Sequence, residues 1–155
     1  MIVGAQNCCG LPLQSNGEFD AARAYARANI RKLAPFVRDG YVIVGTSTSC
    51  TLAIKHEYES VLGLEGEDAR LVAENAYDFF EFLHLLENEG KLDTDWRELR
   101  ERVAYHPPCQ LKSHYIGHPA AAILRRIPGV TVVESEAACC GVAGTYGFKA
   151  EKYDI

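Results

Sequence analysis

Residues 41–50 read Tyr-Val-Ile-Val-Gly-Thr-Ser-Thr-Ser-Cys, and this stretch decides the fold that we expect. Its first four residues form a short apolar run that is typical of a buried strand. Gly45 and the hydroxyl residues after it predict a strand-to-helix loop, with Thr48 or Ser49 as the helix cap. Cys50 is therefore expected at a helix start, where free N–H groups stabilise a thiolate or an anionic cluster.

Strands and helices alternate on both sides of this stretch. Apolar residues recur at helical spacing from Phe19 to Val37, with Asn16 or a neighbour as the cap, and Pro35 is expected to kink or end that helix early. The other predicted elements are a strand end at Ile2-Val3, one helix from Glu67 to about Asn88, a strand at 102–106, a helix opened by Pro119 and a strand at 130–133. This alternation predicts an α/β layered fold with a parallel-type sheet and flanking helices.

The cysteines form a repeated pattern, because the triplet Cys-Cys-Gly occurs at residues 8–10 and again at residues 139–141. Thiolate sulfur is a soft ligand that selects iron–sulfur clusters, zinc or copper(I). A glycine beside adjacent thiols lets the backbone come close to a bulky inorganic group. Ligands of α/β folds gather at the carboxyl ends of strands, and the cysteines follow predicted strands. The candidate ligands are Cys8, Cys9, Cys50, Cys109, Cys139 and Cys140.

Composition narrows the class of protein. The chain has 155 residues, is 48% hydrophobic and 24% charged, and carries a net charge of −5 without a basic stripe. Such values are typical of a globular domain, and they make nucleic acid an unexpected partner. Six cysteines are too sparse for a secreted disulfide scaffold. We therefore expect reduced thiols and a cytoplasmic protein.

Three other interpretations of the cysteines stay open at this point. Cys50, Cys109 and one thiol of a triplet could form a zinc site, although the compact C-x₂-C spacing is missing. A thiolate of low pKa at Cys50 could act as a nucleophile. A metal-free scaffold that holds partner subunits together is the third. Histidines are weaker candidates: His106 lies three residues before Cys109, while His114 and His118 are expected on the surface or in a loop.

The two triplets also predict a duplication with a boundary in the polar segment 91–100. Residues 1–90 then form the later part of one repeat, and residues 91–155 form the beginning of the next. We expect such a chain to be a fragment of a longer subunit. A sheet cut in mid-repeat has an open edge, which predicts pairing with a second copy.

Several stretches together resemble the cysteine-rich, or CCG-domain, superfamily of heterodisulfide reductase, lactate-utilisation and glycolate oxidase iron–sulfur subunits. The resemblance is strongest to the iron–sulfur (C) subunits of anaerobic glycerol-3-phosphate dehydrogenases. The stretches that carry it are 6–13, 46–53 with Glu57-Tyr58, 105–109, 127–129 and 139–148 with Tyr153. They cover nearly the whole chain. The resemblance implies duplicated Rossmann-like half-repeats that bind a cluster of the 4Fe-4S class.

The resemblance also implies a function and partners. Such a subunit passes electrons from flavin dehydrogenase subunits toward the membrane quinone pool, directly or through a membrane subunit, in anaerobic respiration. It lies at the inner face of the cell membrane and is not expected to be catalytic alone. Similar repeats in heterodisulfide reductases hold clusters that react with disulfides. One position departs from the family pattern, because Ser47 stands where the first cysteine of a C-x-x-C pair is expected.

Overall fold

The structure is a computed structural model that describes residues 2–4, 6–137, 139–142 and 145–152. It divides into two compact units, Met1–Tyr77 with Gly141–Ile155, and Asp78–Cys140. Both units contain helices and short strands, which confirms the α/β class. Ala143, Gly144 and Tyr153, which belong to the stretches of family resemblance, lie outside the described residues.

The first unit is built around one long helix. Its elements are α1 (Leu11–Ser15), α2 (Phe19–Arg38), β1 (Ile43–Gly45), α3 (Thr48–Leu52), a π-helical segment (Ala53–Glu57), α4 (Tyr58–Ser60), α5 (Glu67–Glu74), β2 (Ala76–Asp78) and two 3₁₀ turns (Tyr146–Phe148 and Ala150–Lys152). The buried face of α2 carries small residues, Ala22, Ala26 and Ala34, which allow other elements to approach closely. The core of this unit lies between α2, the π-helical segment and α5.

The second unit contains a parallel strand pair. Its elements are α6 (Phe79–Asn88), β3 (Arg102–Tyr105), α7 (Cys109–His114), α8 (Pro119–Arg126) and β4 (Thr131–Glu134). β3 pairs with β4 in parallel, with Arg102 opposite Thr131 and Tyr105 opposite Glu134. A parallel pair needs a helical crossover, which α7 and α8 provide. As predicted, Pro119 opens α8, where its missing N–H costs nothing.

The sheets are small. In the described part of the chain, β1 pairs with β2, and β3 pairs with β4, in two separate two-stranded sheets. The predicted strand at 41–44 is shifted to Ile43–Gly45, and Tyr41 and Val42 before it are exposed. The predicted strand end at Ile2-Val3 is wrong, because these residues pair with no described strand and the Ile2 side chain is 91% exposed.

The single helix predicted from Glu67 to Asn88 is also wrong, because it is split by β2. Asp78 starts a new helix: its side chain accepts a hydrogen bond from the Phe80 N–H, and the Glu81 carboxylate accepts one from the Asp78 N–H. These two hydrogen bonds form a capping box, which stabilises the start of a helix and has no role inside a continuous helix. The predicted end of the helix before Gly90 is confirmed.

Two smaller expectations fail for local reasons. Pro35 neither ends nor shortens α2, since it lies in the last turn, and its carbonyl still accepts the Asp39 N–H at 3.0 Å. His114 is buried in α7 rather than exposed, with 4% of its surface accessible. In the described part of the chain, every helix is too short or too polar to span a bilayer.

Candidate functional site

The first Cys-Cys-Gly triplet is held against α2 by its glycine. Gly10 has a φ of 94°, and a Cβ placed there would lie 3.3 Å from the Ala22 carbonyl oxygen. Both features favour glycine, since L residues rarely adopt positive φ and the backbone approach leaves little room for a methyl group. From the sequence, we expected this glycine to make room for a bulky inorganic group. In the structure, the Ala22 backbone lies beside it. Cys9 is thereby buried, and Cys8 stays exposed.

Two buried polar side chains hold the backbone of this cysteine pair. The Asn29 amide donates one hydrogen bond to the Cys8 carbonyl oxygen and another to the Tyr58 hydroxyl oxygen, each at 3.0 Å. The Tyr58 hydroxyl in turn donates to the Cys9 carbonyl oxygen at 3.0 Å. Burial raises the pKa of the Tyr58 phenol, so the hydroxyl keeps its proton and remains a donor. The carbonyls of both cysteines therefore have fixed partners inside the protein.

Cys50 lies in the first turns of α3, where the loop after β1 positions it as predicted. The Thr51 hydroxyl donates to the Ser47 carbonyl oxygen at 2.9 Å and closes this loop. A Cβ at Gly45 would clash with the Thr51 hydroxyl oxygen, which favours glycine where β1 enters the loop. Although Ser47 occupies the cap position of α3, its side chain does not cap the helix.

Cys9 and Cys50 meet although they are far apart in sequence. The Cys9 thiol donates a hydrogen bond to the Cys50 sulfur over 3.2 Å. This hydrogen bond, with a smaller contribution from the Ser47 hydroxyl and against the effect of burial, lowers the pKa of Cys50 to about 6. The same bond and burial raise the pKa of Cys9. The pair thus holds one proton on Cys9 and presents Cys50 as a thiolate at neutral pH.

The three cysteines of the first unit line one cavity of about 450 Å³. This volume is in the range of small-molecule and cofactor sites. Its wall also includes the polar side chains of Asn7, Lys32 and Ser47. We call Cys8, Cys9 and Cys50 the first cysteine set. All three cysteines line this cavity, and their donor chemistry fits a soft metal or an iron–sulfur group, because thiolates are the ligands that such groups select.

The other three cysteines have a different environment. Cys109 is the first residue of α7, directly after Pro108, and Cys139 and Cys140 follow β4. All three are exposed, and we call them the second cysteine set. Gly141 has a φ of 80°, but a Cβ there would have no atom within 4 Å. In the part of the chain that is described, no group of three or more His, Cys, Asp or Glu side chains has the arrangement of a metal site.

The roles of Asn29 and Tyr58, which hydrogen-bond the backbone of the first triplet, were not predicted from the sequence. Asn29 occupies the buried stripe of α2 among alanines and Ile30, where helical spacing alone predicts an apolar residue. A polar residue in an apolar stripe is the signal that could have identified it, since buried amides need hydrogen-bond partners. Tyr58 entered only as part of a family resemblance, without a role.

The comparison with family models finds the cysteine-rich domain, which matches residues 1–55 and 103–154. The chain is 35% identical over 153 residues to the C subunit of the anaerobic glycerol-3-phosphate dehydrogenase of Escherichia coli K12, covering 98% of this chain and 38% of that protein. It is 27% identical over 156 residues to an uncharacterized iron–sulfur protein of Methanocaldococcus jannaschii, covering 100% of this chain and 28% of that protein.

A third relative is lactate utilization protein A 2 of Bacillus cereus AH820, which is 27% identical over 152 residues, covering 93% of this chain and 59% of that protein. The chain thus spans 38% of the length of the glycerol-3-phosphate dehydrogenase protein that it matches. No solved structure matches it. The family model covers both triplets, Cys50 and Cys109, and on this match the chain belongs to the cysteine-rich (CCG) domain family.

Proposed function

We propose that this chain is part of an iron–sulfur subunit that carries electrons away from a dehydrogenase. The observation that carries the proposal is the convergence of Cys8, Cys9 and Cys50 on one cavity. A chain-long similarity to the C subunit of an anaerobic glycerol-3-phosphate dehydrogenase and to an iron–sulfur protein supports the same function. We propose all six cysteines as ligands. The first cysteine set lines the cavity of about 450 Å³ described above.

The protein's own groups have definite tasks in this proposal. Cys50 and Cys9 would hold the group as thiolates: the lowered pKa of Cys50 favours its ligand form near neutral pH, whereas Cys9 would have to release its proton on binding. Lys32 contributes positive charge to the cavity wall, which favours the bound anionic sulfurs. When bound, an iron–sulfur cluster supplies reversible one-electron chemistry at a potential set by charge, hydrogen bonds to sulfur and solvent exposure.

The proposed electron donor and acceptor follow from the relatives described above. Flavin-containing glycerol-3-phosphate dehydrogenase subunits are the proposed donor, and the membrane quinone pool, reached directly or through a membrane subunit, is the proposed acceptor. We propose that the chain lies in the cytoplasm at the inner face of the membrane. The similarity to lactate utilization protein A 2 makes lactate oxidation the alternative source of electrons. The division into half-repeats at residues 90 and 91 is part of the same proposal.

The decisive experiment measures iron, acid-labile sulfide and the visible spectrum of protein purified without oxygen. We expect the protein to contain both iron and acid-labile sulfide and to show broad visible absorbance. The donor is then identified by mixing the oxidised protein with flavin dehydrogenase and glycerol 3-phosphate, or with a lactate-oxidising system. Loss of visible absorbance with glycerol 3-phosphate and its flavin dehydrogenase, but not with the lactate-oxidising system, supports the glycerol-3-phosphate dehydrogenase as the donor. A protein without iron and sulfide under these conditions contradicts it.

A gain of iron is a sharper test than a loss. Ser47→Cys places a fourth sulfur on the wall of the cavity, so we expect more iron per chain and slower loss to a chelator. Ser49→Cys is the matched control, since it adds the same thiol to α3 at a residue that does not line the cavity. Equal iron contents in the two variants would count against the cavity as the binding site.

A metal-free scaffold is the second candidate, and one observation favours it. None of the described residues form a group of three or more potential ligands in metal-binding geometry. A scaffold predicts a colourless protein with six titratable thiols that still binds its dehydrogenase subunits. Co-purification of those subunits with the chain, at the same yield for Cys8→Ser/Cys9→Ser as for the natural sequence, would support the scaffold.

A further inference from the structure

Asn29 and Tyr58 form a buried polar pair directly behind the first cysteine set. Asn29 is 6% exposed and Tyr58 is 3% exposed. Their neighbours in the core are apolar, including Ala26, Ile30 and Leu62. Burying an amide and a hydroxyl in such surroundings is unfavourable unless both are hydrogen-bonded, so an apolar pair would be the cheaper way to fill this space. The polar pair therefore calls for a specific reason.

The hydrogen bonds of this pair end on two consecutive peptide groups. Both N–H groups of the Asn29 amide are used, one on the Cys8 carbonyl oxygen and one on the Tyr58 hydroxyl oxygen. The Tyr58 hydroxyl in turn donates a hydrogen bond to the Cys9 carbonyl oxygen. A chain of donors of this kind strengthens each of its members in a low-dielectric interior. The two carbonyls that it fixes belong to the two adjacent cysteines.

Fixing two consecutive carbonyls fixes the direction of the one side chain between them, that of Cys9. Once the peptide planes on both sides of Cys9 are set, its sulfur retains only rotation about χ1. That sulfur lies 3.2 Å from the Cys50 sulfur and accepts a hydrogen bond from the Leu11 N–H. The Gly10 carbonyl accepts the Gln14 N–H at 3.0 Å and ties the other end of the triplet to α1.

We propose that Asn29 and Tyr58 are positioning residues that hold the Cys8-Cys9 backbone, and with it the Cys9 sulfur, at the cavity that both cysteines share with Cys50. This inference rests on the proposed function, because the orientation matters where the two sulfurs bind one group together. Tyr58 does not line the cavity; Asn29 does, and the role proposed for it rests on its hydrogen bonds to the Cys8 carbonyl oxygen and to the Tyr58 hydroxyl. Their role is to keep the triplet in its binding geometry before and after the group is present.

Tyr58→Phe is the main test, since it keeps the ring in the core and removes only the hydroxyl. It leaves the Cys9 carbonyl without its partner and frees one N–H of Asn29. Asn29→Leu removes both amide donors at similar volume. Asn75→Leu is the matched control, because Asn75 also donates through its side chain to a backbone carbonyl, that of Leu71, away from the cysteines.

The first readout needs no metal. The metal-free chain is treated with iodoacetamide, and the alkylation rate of each cysteine is followed by peptide mass spectrometry. Loss of one buried hydrogen bond is expected to raise the Cys9 rate about tenfold in Tyr58→Phe. The rate at Cys109 serves as the internal standard and stays constant in all variants. Asn75→Leu is expected to leave the Cys9 rate unchanged even if it lowers the unfolding temperature.

The second readout is iron retention after anaerobic reconstitution with ferrous iron and sulfide. We expect Tyr58→Phe to lose iron to a chelator about tenfold faster than the natural sequence and to change the electron paramagnetic resonance line shape of the reduced protein. A change in line shape reports geometry at the sulfurs, which a general loss of stability does not produce. Asn75→Leu should retain the natural line shape.

The outcomes separate this inference from the proposed function. An unchanged Cys9 alkylation rate in Tyr58→Phe overturns the positioning role, whatever the iron content. A natural sequence that takes up no iron overturns the proposed function, while a raised Cys9 rate in the variant still supports the positioning of the thiols. If Asn29→Leu does not fold, Tyr58→Phe alone decides, since its ring preserves the core packing.

Discussion

The two Cys-Cys-Gly triplets have the same sequence and different surroundings. In the first triplet, Cys9 is buried, its carbonyl oxygen accepts a hydrogen bond from Tyr58, and Gly10 lies against the backbone of α2. In the second triplet, both cysteines are exposed, and a Cβ at Gly141 would have no atom of the described residues within 4 Å. The tripeptide supplies two thiols and a glycine of positive φ in both places, whereas the hydrogen bond from Tyr58 and the close approach of α2 are contacts of the first triplet.

The largest expected difference between the triplets lies in their glycines. Gly10→Ala combines an unfavourable positive φ with a close contact to the Ala22 carbonyl oxygen, so we expect a loss of about 3 kcal/mol in the free energy of unfolding. Gly141→Ala carries only the penalty for positive φ, about 1 kcal/mol. Thermal or urea unfolding, monitored by circular dichroism, measures both values.

Gly40→Ala is the control for this pair of variants. Gly40 lies in the first unit with a φ of 88°, and a Cβ there would have no neighbour within 4 Å. Its variant should therefore resemble Gly141→Ala, although it lies in the same unit as Gly10. If Gly40→Ala and Gly10→Ala destabilise the chain equally, the contact with α2 is not the reason for the glycine in the first triplet.

The next difference concerns access to the thiols. In the metal-free chain, we expect Cys9 to react with iodoacetamide on the order of tenfold more slowly than the exposed Cys139 and Cys140, because Cys9 reacts only after local opening of the triplet. Alkylation in urea is the control, since unfolding should make the rates similar. Equal rates in the folded chain would contradict the described burial of Cys9.

Much of the fold followed from periodicity. The repeat of apolar residues from Phe19 to Val37 predicted α2, and the strands predicted at 102–106 and 130–133 correspond to β3 and β4. The alternation of strands and helices predicted a parallel-type sheet, and β3 pairs with β4 in parallel. The error at 67–88 came from the same signal, because Val72 and Ala76 keep helical spacing across the break. The capping box at Asp78 and Glu81 was visible in the sequence and would have indicated a new helix start.

The candidate site was predictable in its residues and not in its arrangement. Softness and repetition identified the six cysteines as candidate ligands, and their role as ligands remains a prediction. The contact between Cys9 and Cys50 could not be predicted, because it depends on how α3 packs beside the first triplet. Asn29 was missed for a related reason: its partners, the Cys8 carbonyl oxygen and the Tyr58 hydroxyl, are more than 20 residues away in sequence and meet it only in the folded chain.

The smallest effect that distinguishes the two cysteine sets is a pH dependence at Cys50. The hydrogen bond from Cys9 lowers the pKa of Cys50 to about 6, so the thiolate forms as the pH rises through 6. The alkylation rate of Cys50 in the metal-free chain should rise with pH around that value and level off near pH 7.5, since the thiolate is the reactive form.

Cys9→Ala provides the test of cause, because it removes the donor and leaves the Ser47 hydroxyl in place. The midpoint at Cys50 should then move upward, and the rate at pH 6.5 should fall severalfold. Ser47→Ala should move the midpoint in the same direction by less, since its hydroxyl is the lesser contributor. A midpoint that stays at 6 in Cys9→Ala would show that the helix start of α3, rather than the paired thiol, stabilises the Cys50 thiolate.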